Sequence, residues 1–199
     1  FVVLYVPSVF VIGLALALLL NQKVRGMIIV RTSTFLPVVA SWVVVSLIWK
    51  WIFNPAYGLV NYGLSLLGIT GPAWLFTPQT AVYAMVITSI WKDVGYIALL
   101  YLGGLQTISE TYYEAAQIDG AGRWRSFRSI TLPLLTPTMF FVAITLLINY
   151  FQLFEQVWLM PQTDSAADRQ VRVIVTEVVR NAFSYNRMGY ASAMLWVLF

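Results

Sequence analysis

The sequence predicts an all-α, polytopic membrane protein, and three observations carry that prediction. Of 199 residues, 60% are hydrophobic, 16% aromatic and only 10% charged, far from the mixture that covers a soluble domain. The apolar residues gather into uncharged runs of about 20, the length that crosses a bilayer. The charges gather between those runs.

Residues 1–20 carry no charge and form the first expected span. Pro7 within it predicts a kink, which membrane helices tolerate. The run lacks the basic start of a signal peptide. The second expected span is 32–50. The third, 80–105, is interrupted only by Lys92 and Asp93, and the fourth is 133–156. A fifth begins at 188 and stops at 199, too short to cross. The first run starts with no charged flank and the last stops short, so the expectation is a fragment of a longer chain.

Lys23, Arg25 and Arg31 surround the first connection, residues 51–79 hold no charge, and Arg123, Arg125 and Arg128 mark the third connection. Basic connections stay on the cytoplasmic side. Residues 21–31 and 106–131 are therefore expected in the cytoplasm, with 51–79 and 159–187 outside. The last connection is mixed: Arg169, Arg172, Arg180 and Arg187 stand against Asp164, Asp168 and Glu177. In 51–79, Trp51, Phe53, Tyr57, Tyr62, Trp74 and Phe76 alternate with Asn, Pro and Gly. Such rings sit at headgroup level, so the segment reads as an interfacial cap over the outer mouth. A greasy surface loop or a re-entrant helix fits the same residues.

The chain has no cysteine and no histidine, which excludes disulfides, Cys/His zinc sites and His-based triads. It has no Gly-rich phosphate loop ending in Lys-Ser/Thr, so it is not expected to bind ATP itself. No carboxylate pair stands in a catalytic spacing. The expectation is a non-catalytic chain with no metal, no cofactor of its own and no nucleic-acid partner.

Residues 106–131 form a polar, basic insertion between two apolar runs. Ser109 can cap a short helix, and Glu110 and Glu114 near its start suit the helix dipole. Gly120 and Gly122 can break it by freeing φ. Residues 123–130 then lead to Leu132-Pro133, with Pro133 tolerated in the first turn of the next helix. The small Ala115-Ala116 surface admits a close partner, and Glu114 can pair with a base on it. An amphipathic interfacial helix whose arginines hold lipid headgroups fits the same composition.

The spacing adds more. Glu114-Ala115-Ala116, two residues, Asp119-Gly120-Ala121, then Phe127, Ile130, Leu132-Pro133 and Pro137 resembles the cytoplasmic coupling loop of ABC importer permeases. The resemblance extends over nearly the whole chain. Arg31-Thr32 with Phe35-Leu36-Pro37, Trp49-Lys50-Trp51-Ile52-Phe53 and Gly58-Leu59-Val60-Asn61 are similar to the family's early half. Leu102-Gly103-Gly104-Leu105-Gln106 with Ile108, and Met188-Gly189-Tyr190-Ala191-Ser192-Ala193, are similar to its later segments. The carbohydrate-uptake branch, with its maltose, trehalose and glycerol-phosphate permeases, is the most similar. One stretch departs: after Val157-Trp158-Leu159 many relatives carry Thr-x-Gly-Gly-Pro, where this chain has Met160-Pro161-Gln162-Thr163-Asp164. The outer loop is expected to differ in shape.

The resemblance implies a type I ABC importer permease fold with six spans, of which about five are here, in one permease domain over 1–199. It implies that Glu114, Ala115, Ala116, Asp119, Gly120, Ala121, Gly122, Leu132 and Pro133 couple the chain to an ATPase. The implied partners are two ATP-binding subunits holding ATP and Mg, a second related permease forming a heterodimer, an extracytoplasmic substrate-binding protein, and membrane lipid. The implied location is the plasma membrane of a prokaryote, with the coupling loop cytoplasmic.

For the substrate path the expected residues are Ser89, Lys92, Asp93, Asn149, Tyr150, Gln152 and Glu155. Ionisable groups at membrane depth face a cavity or a partner. Neighbours on a helix point about 100° apart, so Lys92 and Asp93 each need their own partner or water. They line a hydrophilic path or pack against another helix. Asn149, Gln152 and Glu155 are spaced by three, and the first two share a helix face. Amides and a ring suit sugar hydroxyls and pyranose faces; interhelical hydrogen bonding is the other use of such residues. The expected cargo is a mono- or oligosaccharide, with a glycerol-phosphate compound as the alternative. The spans contain no arginine, which leans toward a neutral sugar. An ion-coupled secondary transporter would use Lys92, Asp93 and Glu155 instead, but leaves the coupling loop unexplained. A membrane enzyme lacks any nucleophile–base or metal constellation.

Overall fold

The computed structural model describes every residue except Lys23 and residues 162–164. Lys23 in the first basic connection, and Gln162, Thr163 and Asp164 in the departing outer loop, therefore lie outside the described residues. The described chain is helical throughout, in the order α1 (Val2–Leu20), α2 (Met27–Val39), α3 (Trp42–Ile52), α4 (Leu59–Leu66), α5 (Pro78–Gln106), α6 (Glu110–Ile118) and α7 (Arg123–Ser126). A wide π turn, Phe127–Thr131, leads into α8 (Leu132–Phe151), then α9 (Glu155–Leu159), α10 (Ala166–Val171) and α11 (Ile174–Val179). A second π turn, Arg180–Ser184, precedes α12 (Met188–Leu198).

Among the described residues, three helical stretches are long and apolar enough to cross a membrane: Val2–Leu20, Pro78–Gln106 and Arg123–Leu159. The pair Met27–Val39 and Trp42–Ile52 makes a fourth if it counts as one span. Side chains such as Val3, Val11, Phe140 and Phe141 stay more than half exposed on these helices. Apolar faces of that extent are covered by lipid or by neighbouring helices, not by water.

Within the second expected span, 32–50, the helix is interrupted between α2 and α3. Pro37 removes a backbone donor near the end of α2. Ser41 then starts α3 as its N-cap, its Oγ accepting from Val43 N–H at 3.3 Å. Hydropathy sees only an uncharged run, whereas the backbone obeys Pro37 and Ser41. The fourth expected span also begins earlier than 133, because the helical run starts at Arg123. A proline ring clashes with the carbonyl four residues back. The π turn accommodates Pro133, with Leu132 N–H reaching Phe127 O, five residues back.

The chain packs as two compact units, and each is discontinuous in sequence. One consists of 6–39 and 91–147. Within it a Cβ at Gly13 would come 2.6 Å from Ile97 Cγ2, and Phe10 meets Tyr101 edge-on at 5.6 Å. A Cβ at Gly95 would overlap the Thr34 carbonyl, and one at Gly104 would overlap Thr138 Oγ1. Small residues at such crossings let helix backbones meet where no hydrophobic effect drives them together. Gly95→Ala is therefore expected to cost about 1–3 kcal/mol by overpacking. The obstacle is backbone, which cannot swing aside. The measurement is the Tm of the purified full-length protein; an unchanged Tm would contradict the close crossing. In the same unit, Arg31 donates from Nη2 (2.7 Å) and Nε (3.2 Å) to Leu20 O, the last residue of α1. A cation at a helix C-terminus satisfies an orphan carbonyl and suits the dipole.

The other unit consists of 1–5, 40–90 and 148–199. Its 51–79 connection is built around α4. Asn61 donates from Nδ2 to Pro55 O and Pro72 O, both at 3.2 Å, and accepts from Trp74 Nε1 at 2.8 Å. Phe53 lies between Trp49 (5.2 Å) and Trp74 (5.5 Å). The rings expected at headgroup level divide: Phe53 is buried, while Trp51, Tyr57 and Tyr62 stay exposed. In the last connection Arg180 Nη2 meets Asp168 Oδ2 at 2.6 Å, and Arg172 bridges Asp168 and Glu177 at 3.2 Å each. These charges pair internally.

Candidate functional site

The coupling segment forms as a helix, a corner and a turn. Ser109 is the N-cap of α6: its Oγ accepts from Thr111 N–H at 3.4 Å and lies 2.8 Å from Thr111 Oγ1. Glu110 stands in the first turn. At the other end the chain reverses through Gly120, at φ +75°. Gly120 N–H reaches Gln117 O at 3.0 Å and Ala121 N–H reaches Ala116 O at 2.8 Å. This crossed pair is the Schellman closure, which needs a left-handed residue at the position glycine holds. The Asp119-Gly120-Ala121 spacing therefore has a geometric cause.

Gly122 is a correction. It was expected to free φ beside Gly120, but it sits at φ −70°, the extended N-cap of α7. Only Gly120 makes the corner. Tyr113 OH lies 2.9 Å from Thr131 Oγ1, tying α6 to the π turn before Leu132-Pro133. Glu114, Ala115, Asp119, Gly120 and Gly122 are exposed, Ala116 and Ala121 half-buried. Ile118 (87% exposed) and Trp124 (74%) flank the corner. The sequence reading missed these two. A large apolar side chain that exposed, beside a polar helix, marks a contact surface.

The path candidates fall into different places. Ser89 is fully buried, its Oγ donating to Met85 O at 2.8 Å within its own helix. Lys92 is 5% exposed. Its Nζ donates to Pro37 O (3.3 Å) and Val38 O (3.1 Å), at the end of α2. Asp93 is half-buried. Asn149, Gln152 and Glu155 were expected in spacing on a helix, but α8 ends at Phe151 and Glu155 opens α9. The helix stops at Phe151, with Asn149 inside it and Gln152 just beyond. All three are exposed. Tyr150 is buried, its ring stacked 3.7 Å from Tyr5 and 5.8 Å from Phe1. Gln152 instead lines a cavity of about 630 Å³ with Ser192, Trp196 and Phe199. The α12 residues of this cavity were not singled out from sequence. Their signal was a serine and a tryptophan on one short apolar helix, with Phe199 just after it.

Residues 9–156 match the family described as binding-protein-dependent transport system inner membrane component. This chain belongs to that family. It is 37% identical over 179 residues to the trehalose/maltose transport system permease protein MalF of Thermococcus litoralis, covering 90% of this chain and 59% of that protein. It is 37% identical over 194 residues to the sulfoquinovosyl glycerol transport system permease protein SmoG of Agrobacterium fabrum, covering 98% of this chain and 62% of that protein. The chain thus spans about three fifths of these relatives' length. Its fold matches a chain in the crystal structure of a bacterial alginate ABC transporter in complex with an alginate pentasaccharide-bound periplasmic protein. That match has a TM-score of 0.89 and 28% identity, over 97% of this chain and 67% of the other. The expected ABC importer permease fold is borne out. The chain is a multi-pass membrane component of a transport system, and the corner at Gly120 lies within the stretch that matches its family.

Proposed function

We propose that this chain is the membrane-spanning, non-catalytic subunit of an ATP-driven importer that takes a saccharide from an extracytoplasmic binding protein. The observation that carries the reading is the α6 corner: an exposed helix with small residues, closed by Gly120 and fastened to the π turn by Tyr113 and Thr131. A rigid exposed element rooted in the end of a long apolar helix can pass a push from a soluble partner into the membrane. Glu114, Ala115, Ala116, Asp119, Gly120, Ala121 and Gly122 form its docking surface, with Leu132 and Pro133 at its root. Two ATP-binding subunits holding ATP and Mg supply the energy, and a second related permease completes the pair. The loop faces the cytoplasm of a prokaryotic cell. Names of similar proteins that refer to maltose, trehalose, sulfoquinovosyl glycerol and alginate support a saccharide cargo.

Within the chain, Gln152 and Ser192 with Trp196 beside them give the path its polar groups and an aromatic face. Asn149 and Glu155 extend it. The expected spans hold no arginine, and Lys92 directs its ammonium at backbone carbonyls. A neutral sugar is therefore the favoured cargo. The test is co-purification of the full-length protein from its own membranes, followed by uptake in proteoliposomes. Recovery of an ATPase and a binding protein, with vanadate-sensitive uptake of a neutral sugar over a uronate or sulfonated one, is the expected result. Uptake driven by a proton or sodium gradient without an ATPase would overturn it.

A further inference from the structure

We propose that Lys92 is a positioning residue that clamps the broken end of α2, and does not touch the cargo. The last carbonyls of any helix lack intrahelical partners. Here that end falls inside the uncharged run 32–49, where the bilayer offers no donors and every backbone group must be satisfied by protein. Lys92, 5% exposed, sends Nζ to two of those carbonyls, Pro37 O at 3.3 Å and Val38 O at 3.1 Å. An ammonium has three donors and no acceptor, and the helix C-terminus carries the negative end of the dipole.

A second observation points the same way. Gly95 lies three residues on, over the same face of α5, and a Cβ added there would overlap the Thr34 carbonyl of α2. One residue lets the backbones meet and the other holds the end that the meeting exposes. The same device recurs where Arg31 closes α1 through Leu20 O. The clamp rests on this geometry alone; its effect on uptake rests also on the importer reading above.

The test uses the full-length protein with its co-purified subunits in lipid nanodiscs. The 199 residues hold no cysteine, so Val39→Cys, at the exposed last residue of α2, gives a single nitroxide site in this stretch. Lys92→Met is expected to narrow the spectrum, as the end of α2 loosens, and Lys92→Arg to keep the parent spectrum. In uptake, Lys92→Met is expected to lower the maximal rate roughly ten-fold with unchanged KM and unchanged substrate preference, and Lys92→Arg to restore it. If Lys92→Met does not assemble, Lys92→Gln is read the same way. A parent spectrum in the neutral variants, or a changed preference among sugars, overturns the clamp and returns Lys92 to the path. If the parent shows no ATP-driven uptake, the importer reading fails while the spectra still decide the clamp.

Discussion

Gly120→Val is expected to leave the protein inserted in the membrane and bound to its ATPase, yet to uncouple ATP hydrolysis from uptake. Gly120 holds φ +75°, and placing an L side chain in that region costs about 1–2 kcal/mol, more for a β-branched one. No atom lies within 4 Å of the Cβ that the substitution adds, so the penalty is confined to the backbone. What gives way is the crossed pair of hydrogen bonds from Gly120 N–H and Ala121 N–H back into α6. The corner then opens and α6 no longer moves rigidly with the π turn. Uptake is expected to fall roughly ten-fold, the factor that about 1.4 kcal/mol carries. Gly120→Asn should retain most activity, because asparagine tolerates the left-handed region. Gly122→Ala should be near parental, since Gly122 sits at φ −70° with open space around its Cβ position. Glu114→Lys, which reverses a charge on the exposed face, should uncouple in the same way as Gly120→Val. The readout is uptake against binding-protein-stimulated ATPase activity in proteoliposomes. A Gly120→Val protein that transports at the parental rate sinks the rigid-corner idea. One that is lost from the membrane means that the corner serves folding.

That corner was legible in the sequence because its cause is local. Ser109, Gly120 and the spacing between them act through bonds of two to five residues. The break in 32–50 was not read, although Pro37 and Ser41 stand in plain view, because apolarity over a window says nothing about where backbone hydrogen bonds stop. Lys92 shows the limit from the other side. Its depth was evident from its apolar neighbours, but its partners, Pro37 O and Val38 O, lie more than 50 residues away. The spacing of Asn149, Gln152 and Glu155 did not show that the helix ends at Phe151, between the first and the second of them. Trp196 and Ser192 join Gln152 only through packing of α12, which no spacing encodes.

The charges of the last connection carry the other large effect. Counted along the chain they nearly cancel, which suggests solvated surface. In the fold Asp168 (5% exposed) and Arg180 (7%) are buried together, with Arg180 Cζ also 5.4 Å from the Trp158 ring. Arg172 joins Asp168 to Glu177, so one carboxylate serves two guanidinium groups. Asp168→Leu removes the group both arginines share and leaves Arg180 buried. Removing one partner of a buried ion pair costs about 3–5 kcal/mol. Asp168→Leu is therefore expected to lower the Tm of the purified full-length protein and to open α10 and α11 to added protease. Removing both charges, in Asp168→Leu with Arg180→Met, should recover most of the loss, since an apolar pair of similar volume needs no ionic partner. Arg172 still has Glu177 in that background. Recovery in the double variant separates loss of the ion pair from lost shape. A single variant as stable as the parent would show that the Asp168–Arg180 pair does not hold the connection, and a double variant as weak as the single would show that the network holds it by geometry rather than by neutralisation.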